Sequence, residues 1–311
     1  LASSEPAPPE GYAARPATPD DLPGIDALVD AIDRGFGLPP RPLSGYLRWR
    51  WSQPTVDPER DTRVVVHDDD VVAFAMAFVP DDAPAVARGT ARVHPAHTGK
   101  GLGSWLLDSV ERNARARAGV ATCRVDVPER DLAGRRLLET RGYRRVRTTY
   151  EMRGSLPHGM PATAPNGVSI RPFEPGEEHA VWRVEAEAFR DHWDHVEEQS
   201  FESFVHDWFE DTTLPSSVLV AELDGRPVGV IAWTVEDGVP YVFSVAVVRE
   251  ARRRGIATAL LRHAMARAAA DGYAEMTLSV DAESPTGAVR VYEHVGLRVA
   301  AATAIYERAL P

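Results

Sequence analysis

The chain has one cysteine, Cys123, so no internal disulfide is available, and a reducing compartment, the cytoplasm, is the expected location. Cys123 lies in a strand-like run with no histidine beside it, which reads as a small core residue rather than a nucleophile. Lysine is nearly absent as well. Lys100 is the single one against thirty-four arginines, a skew that reports genome composition and carries no function. No apolar run reaches the roughly 18 residues of a membrane span, so no membrane partner is expected. The stretch Leu1–Pro9 lacks both a basic end and an apolar centre, and is expected to be a disordered leader rather than a secretory signal.

Positive charge is scarce in the second half. Through Ser155 there are 22 basic and 22 acidic residues; the remainder has 13 and 24, which is the whole net charge of −11. Such a surface repels a nucleic-acid backbone, so no nucleic-acid partner is expected. It suits acceptors that are cationic in solution, although a merely solvated acidic face explains the same numbers.

A chain of 311 residues is long for one compact domain and comfortable for two. Residues 154–167 are rich in proline and glycine without apolar periodicity and read as a linker. The halves at 11–153 and 168–311 share one order of strands and helices, so the fold class is α/β built by domain duplication. Asp224-Gly225 between two apolar runs is a hairpin signal. Each half is expected to end on its own closing strand, Arg144–Met152 and Leu297–Glu307.

The most informative segment runs from Val245 through Arg252-Arg-Arg-Gly255-Ile-Ala257 into an amphipathic helix. The helix start offers unpaired amides and a positive dipole end. Gly255 and the small Ala257 let an anion approach the main chain, and Arg252, Arg253 and Arg254 add charge. This is an anion cradle suited to a pyrophosphate. A counterpart, Thr98-Gly-Lys-Gly101-Leu-Gly103, recurs in the first half.

Arg252-x-x-Gly255-x-Ala257 resembles the Q/R-x-x-G-x-G/A signature of the GNAT N-acetyltransferase superfamily. Gly287-Ala-Val-Arg-Val-Tyr292-Glu-His-Val-Gly296-Leu resembles that superfamily's G-A-x-x-x-Y-x-x-x-G-F segment. The tandem order is similar to that of the superfamily's mycothiol-synthase branch, whose members acetylate an amino-sugar conjugate. The resemblance implies two domains, each a mixed, mostly antiparallel sheet flanked by helices. It implies acetyl-CoA as co-substrate, its pyrophosphate on the amides of Arg252, Arg253, Arg254, Gly255, Ile256 and Ala257. The thioester arm would lie along Val245, Ala246 and Val247, with strand amides polarising its carbonyl. It also implies Tyr292 as the acid that protonates the departing thiolate.

Departures from the family pattern matter. Ser284 stands where an asparagine often contacts the cofactor, and Arg249 stands where proline is usual. Tyr241 falls where some tandem members carry a glutamate base, so the base is expected at Glu236 or Asp237, or at a histidine acting through water. Thr98 and Leu138 replace the signature arginine and the tyrosine in the first half, which is therefore expected to be catalytically degenerate.

The expected activity is acetyl transfer to a primary amine of a small molecule, such as an amino sugar, polyamine or aminoglycoside. The alternative is a non-catalytic acyl-CoA-binding or regulatory module. The tandem domains can pack on each other, compatible with a monomer. No metal site is expected: His192 and His195 lie three apart in Asp191-His-Trp-Asp-His195 but lack a third ligand, and read as an acceptor wall or helix end. Tyr46, Trp49 and Trp51 with Arg48 and Arg50 read as a core-packed helix rather than a nucleic-acid surface.

Overall fold

A computed structural model describes residues 6–80, 83–156, 159, 162–190, 192–193, 199–210 and 216–310. The first unit contains β1 (Ala13–Arg15), α1 (Leu22–Phe36), α2 (Ser44–Ser52), α3 (Pro58–Asp61), β2 (Thr62–His67), β3 (Asp70–Phe78), β4 (Val86–Val93), α4 (Leu102–Arg115), β5 (Thr122–Pro128) and α5 (Leu132–Thr140). The strand β6 (Arg144–Ser155) follows. The second unit contains β7 (Val168–Pro172), α6 (Glu178–Phe189), α7 (Phe201–Val205), β8 (Ser217–Leu223), β9 (Arg226–Glu236), β10 (Val239–Val247), α8 (Ile256–Ala270), β11 (Glu275–Asp281) and α9 (Ala288–His294), and β12 (Arg298–Ala309) closes the chain.

Local chemistry explains the hairpins. Asp224 and Gly225 take φ values of +53° and +74°, and Asp237 and Gly238 take +47° and +82°, the doubly left-handed pattern of a type I′ turn. The β3 strand is buried on both faces, as its continuous apolar run implies. Ala73, Ala75 and Ala77 face the core with α4, while Phe74, Met76 and Phe78 face the core with α1 and α2. A Cβ on Gly89 of β4 would lie 2.5 Å from Val110 of α4, so only glycine allows that approach.

The registered strand pairs are antiparallel except β4 with β5 and β10 with β11, so the strands of each unit form a mixed and mostly antiparallel arrangement, as expected. One expectation is corrected. Neither half ends on its own closing strand. The first unit runs to Thr148 and takes back the stretch from Ala301, while the second is Thr149–Ala300. The β12 strand pairs with β5, and Tyr306 enters the first unit's core. The outer part of β6, including Gly154 and Ser155 of the expected linker, pairs with β11, and Met152 enters the second unit's core.

Side chains explain this choice. A constant offset of 154 residues relates the halves, pairing Thr98 with Arg252 and Leu138 with Tyr292, and it pairs Gly154 of β6 with Arg308 of β12. A Cβ on Gly154 would come within 3.0 Å of the Gly296 carbonyl and of Leu297, so an arginine has no room there. In the first unit Arg308 instead reaches Glu111 at 2.9 Å, and its neighbour Glu307 accepts from Arg124 at 2.8 Å.

Candidate active site

The site in the second unit begins where two strands part. Parallel pairing of β10 with β11 is confined to Tyr241 with Thr277 and Val242 with Leu278. The β9–β10 register then shifts between Val242 and Ser244, a bulge that re-aims the rest of β10. Val245, Ala246 and Val247 stay paired with Ile231, Val230 and Gly229 of β9, and none of them is paired with β11. Among the described residues, no strand pairs with their other edge.

The signature turn follows directly. Gly255 has φ +80° at the start of α8, and Arg253 has φ +64°. The first half meets the same two backbone demands with Gly99 at +74° and Gly101 at +85°. An arginine at a left-handed position costs about 1–2 kcal/mol, so Arg253 is retained against a backbone penalty. Arg253, Arg254 and Gly255 are exposed, and among the described residues neither arginine makes an ion pair. Ile256 is buried and anchors the helix, and Ala257 is half-buried. Amides before and within the first helical turn have no intrahelical partner. The residues present therefore fit a pyrophosphate.

Arg252 is used differently from its neighbours. Its Nε donates to the Val247 carbonyl at 3.1 Å and its Nη2 donates to the Ala188 carbonyl at 3.0 Å. The guanidinium thus ties the turn to the ends of β10 and α6, a role for the side chain that its spacing alone does not reveal. Ser284 sits in the loop between β11 and α9, where its hydroxyl shares a 2.9 Å hydrogen bond with Thr286.

Tyr292 is buried against the second core at 8% exposure. Burial, then the nearby Tyr241, hold its phenol above the ordinary tyrosine value, so it carries its proton at neutral pH. Glu236 ends β9 and is half-buried; burial, then the charge of Asp237, push its carboxyl up to about 7. That places it near the optimum for a base at neutral pH. Asp237 occupies the exposed turn tip.

One residue escaped the sequence reading. Ser244, at the bulge, is 4% exposed, and its Oγ has no hydrogen-bond partner among the described residues. A signal existed: Thr90 holds the same position in the first half, and its hydroxyl is likewise unpartnered.

The first unit differs at the acid and at the gap. Leu138 is buried and has no proton to give. Five registered pairs, Val86–Thr90 with Thr122–Asp126, hold β4 to β5. Cys123 is buried, its thiol pushed up to about 11 mainly by burial, in keeping with an inert core residue.

The aromatic–arginine cluster forms α2, where Arg50 stacks over Trp49 and Phe78, each at 4.3 Å. Asp191, Asp194 and His195 lie outside the described residues. Among the described residues no group of three histidine, cysteine or acidic side chains is placed to hold a metal, and no helix is long and apolar enough to cross a membrane.

A glycine turn that recurs in both halves, set beside parting strands in the second, defines an acyl-CoA-dependent transferase fold. Residues 26–143 and 179–297 match the Acetyltransferase (GNAT) family, and the chain belongs to that family as a tandem acetyl-CoA-dependent N-acyltransferase. It is 30% identical over 295 residues to the mycothiol acetyltransferase of Thermomonospora curvata, covering 92% of this chain and 93% of that one. It is 29% identical over 304 residues to that of Thermobispora bispora, covering 94% and 97%. A crystal structure of a GCN5-related N-acetyltransferase from Sphaerobacter thermophilus superposes with a TM-score of 0.83 at 28% identity, covering 98% of this chain and 97% of that one.

Proposed function

We propose that the second unit transfers an acetyl group from acetyl-CoA to the primary amine of a small molecule, with the first unit catalytically silent. The observation that carries this reading is the parting of β10 from β11 beside the Gly255 turn, with Tyr292 buried close by. The turn amides, with Arg253 and Arg254, hold the pyrophosphate, and Arg252 keeps the turn in place. The open edge of Val245–Val247 aligns the thioester arm and donates to the carbonyl oxygen as negative charge builds there. Tyr292 gives its proton to the departing sulfur.

The amine must be neutral to attack, and Glu236 is the carboxylate suited to take its proton. An acidic half-chain favours an acceptor that is cationic in solution, and mycothiol acetyltransferases among the relatives point to an amino-sugar conjugate first, with polyamines and aminoglycosides next.

The test is an amine panel incubated with acetyl-CoA, reading thiol release and product mass. Acetylation of one acceptor by wild type, with Tyr292→Phe slower in kcat by about 10²-fold, is the expected result. Coenzyme A binding without turnover of any amine returns the non-catalytic module to first place.

A further inference from the structure

We infer that Ser244 is the hydroxyl that receives the attacking amine at the gap between β10 and β11, and that the amine's proton leaves along one face of the β9–β10 ladder towards Glu236. The inference rests on the reading of the second unit as the catalytic one, and it assigns that reaction's proton path.

The first observation is an orphan. Ser244 is 4% exposed, yet its Oγ has no partner among the described residues. A buried hydroxyl left unpaired costs about 1–3 kcal/mol; unlike Thr90, whose strand stays paired with β5 at that position, Ser244 stands beside an unpaired edge through which a partner can arrive. The position is specific. Ser244 follows the bulge and directly precedes Val245, the first residue of the open edge.

The second observation is register. Side chains alternate along a strand, and cross-strand partners share a face. Ser244 pairs with Ala232, Tyr241 with Thr234, and Val239 with Glu236. Ser244, Tyr241, Thr234 and Glu236 therefore lie on one face. Glu236 stands four residues along β9 from Ala232, about 13 Å at the rise of a strand. A glutamate cannot span that distance to an amine at the gap. Tyr241 and Thr234 stand halfway, about 7 Å from each end, and Thr234 is buried at 5% exposure. Hydroxyls at the start and the middle, with water between them, complete a path that one carboxylate cannot.

The step balances. The amine nitrogen forms a bond to the thioester carbonyl carbon, and the carbon–sulfur bond breaks. The amine's proton passes to Ser244 Oγ as the Ser244 proton moves on through water, Tyr241 and Thr234 to the Glu236 carboxylate. The sulfur takes its proton from Tyr292. Solvent then removes one proton from Glu236 and returns one to Tyr292.

The test compares Ser244→Ala, Ser244→Thr, Glu236→Gln and the Ser244→Ala/Glu236→Gln double variant with wild type, on an acceptor that wild type acetylates. Ser244→Ala is expected to lower kcat at least about ten-fold with the KM for acetyl-CoA unchanged, and Ser244→Thr to keep most of the rate. The melting temperature of Ser244→Ala should stay level or rise, because no folded-state hydrogen bond is lost. Members of one path act as a unit, so the double variant should be no slower than the slower single.

Wild-type kcat in Ser244→Ala, or losses that multiply in the double variant, overturn the inference while acetyl transfer stands. A wild-type protein that binds coenzyme A and acetylates no amine overturns the parent reading and this inference with it.

Discussion

Arg92 of β4 is ion-paired with Asp126 of β5, and its Nη1 also donates to the Asp126 carbonyl at 3.2 Å. The corresponding residues of the second unit, Ala246 and Val280, carry no charge. In the first unit a guanidinium therefore crosses the interval that the second unit leaves open. Displacing it would strand a carboxylate whose partner is largely buried, a loss that a pantetheine amide does not restore. Calorimetry with coenzyme A should give one molecule per chain, and Gly255→Val should abolish that binding. Two equivalents per chain would show that the Arg92–Asp126 pair yields to the cofactor.

The left-handed pair at the signature turn separates backbone from charge. Gly255→Ala places a Cβ 3.6 Å from Pro165, an ordinary contact, so its cost comes from the φ of +80° and should be about 1–2 kcal/mol. Arg253→Gly removes the same kind of penalty at φ +64° and should raise stability by about 1 kcal/mol. It also deletes a charge beside the phosphates. Denaturant titration should show the gain, while the KM for acetyl-CoA rises a few-fold at low salt and less at high salt.

Glu236 makes the reaction and the fold respond to pH in opposite senses. Its folded pKa, about 7, lies above the ordinary 4.5, so between those values the folded chain binds more protons than the unfolded chain. Stability from this group is complete below about pH 4.5, declines as pH rises towards 7, and then levels, a change on the order of 2–3 kcal/mol. The base form appears over the same interval, so kcat/KM should climb with an apparent pKa near 7. Asp237→Asn removes the neighbouring like charge and should move that limb a few tenths of a unit towards acid. Glu236→Gln should flatten it.

Features set by adjacent residues are legible in the sequence. The Asp224-Gly225 hairpin, the Gly255 turn and the doubly buried β3 each follow from chemistry within a few positions. The closing strands were not legible, because β6 and β12 both alternate well enough to pair with either sheet; what decides between them is the space beside Gly154 and a carboxylate far away at Glu111. Arg252 stands out in the sequence by its spacing to Gly255, but that spacing does not reveal the hold of its guanidinium on the Val247 and Ala188 carbonyls. Ser244 was hidden for another reason. In a buried strand a small hydroxyl reads like any small core residue until its partner is sought and not found.

The last prediction concerns the closing strand of the first unit. Glu111, 3% exposed, accepts from Arg308 at 2.9 Å, from Tyr143 at 3.2 Å and from Arg115 at 2.6 Å. The 154-residue offset places Met265, Gly154 and Leu297 where the second unit would hold Glu111, Arg308 and Tyr143, so an apolar solution to the same junction exists within this chain. Buried ion pairs add little net stability over such apolar packing but are costly to halve. Glu111→Met should thus destabilise the first unit by about 2–3 kcal/mol, less than a fully buried pair because Arg308 and Arg115 remain partly solvated. Adding Arg308→Met should recover about half of that loss, since the Glu111–Arg308 pair is then removed whole and only the partly solvated Arg115 is left without its carboxylate. Urea unfolding of the single and double variants measures both numbers. A double variant no more stable than Glu111→Met would mean that Arg308 holds β12 through its aliphatic stem rather than through its charge.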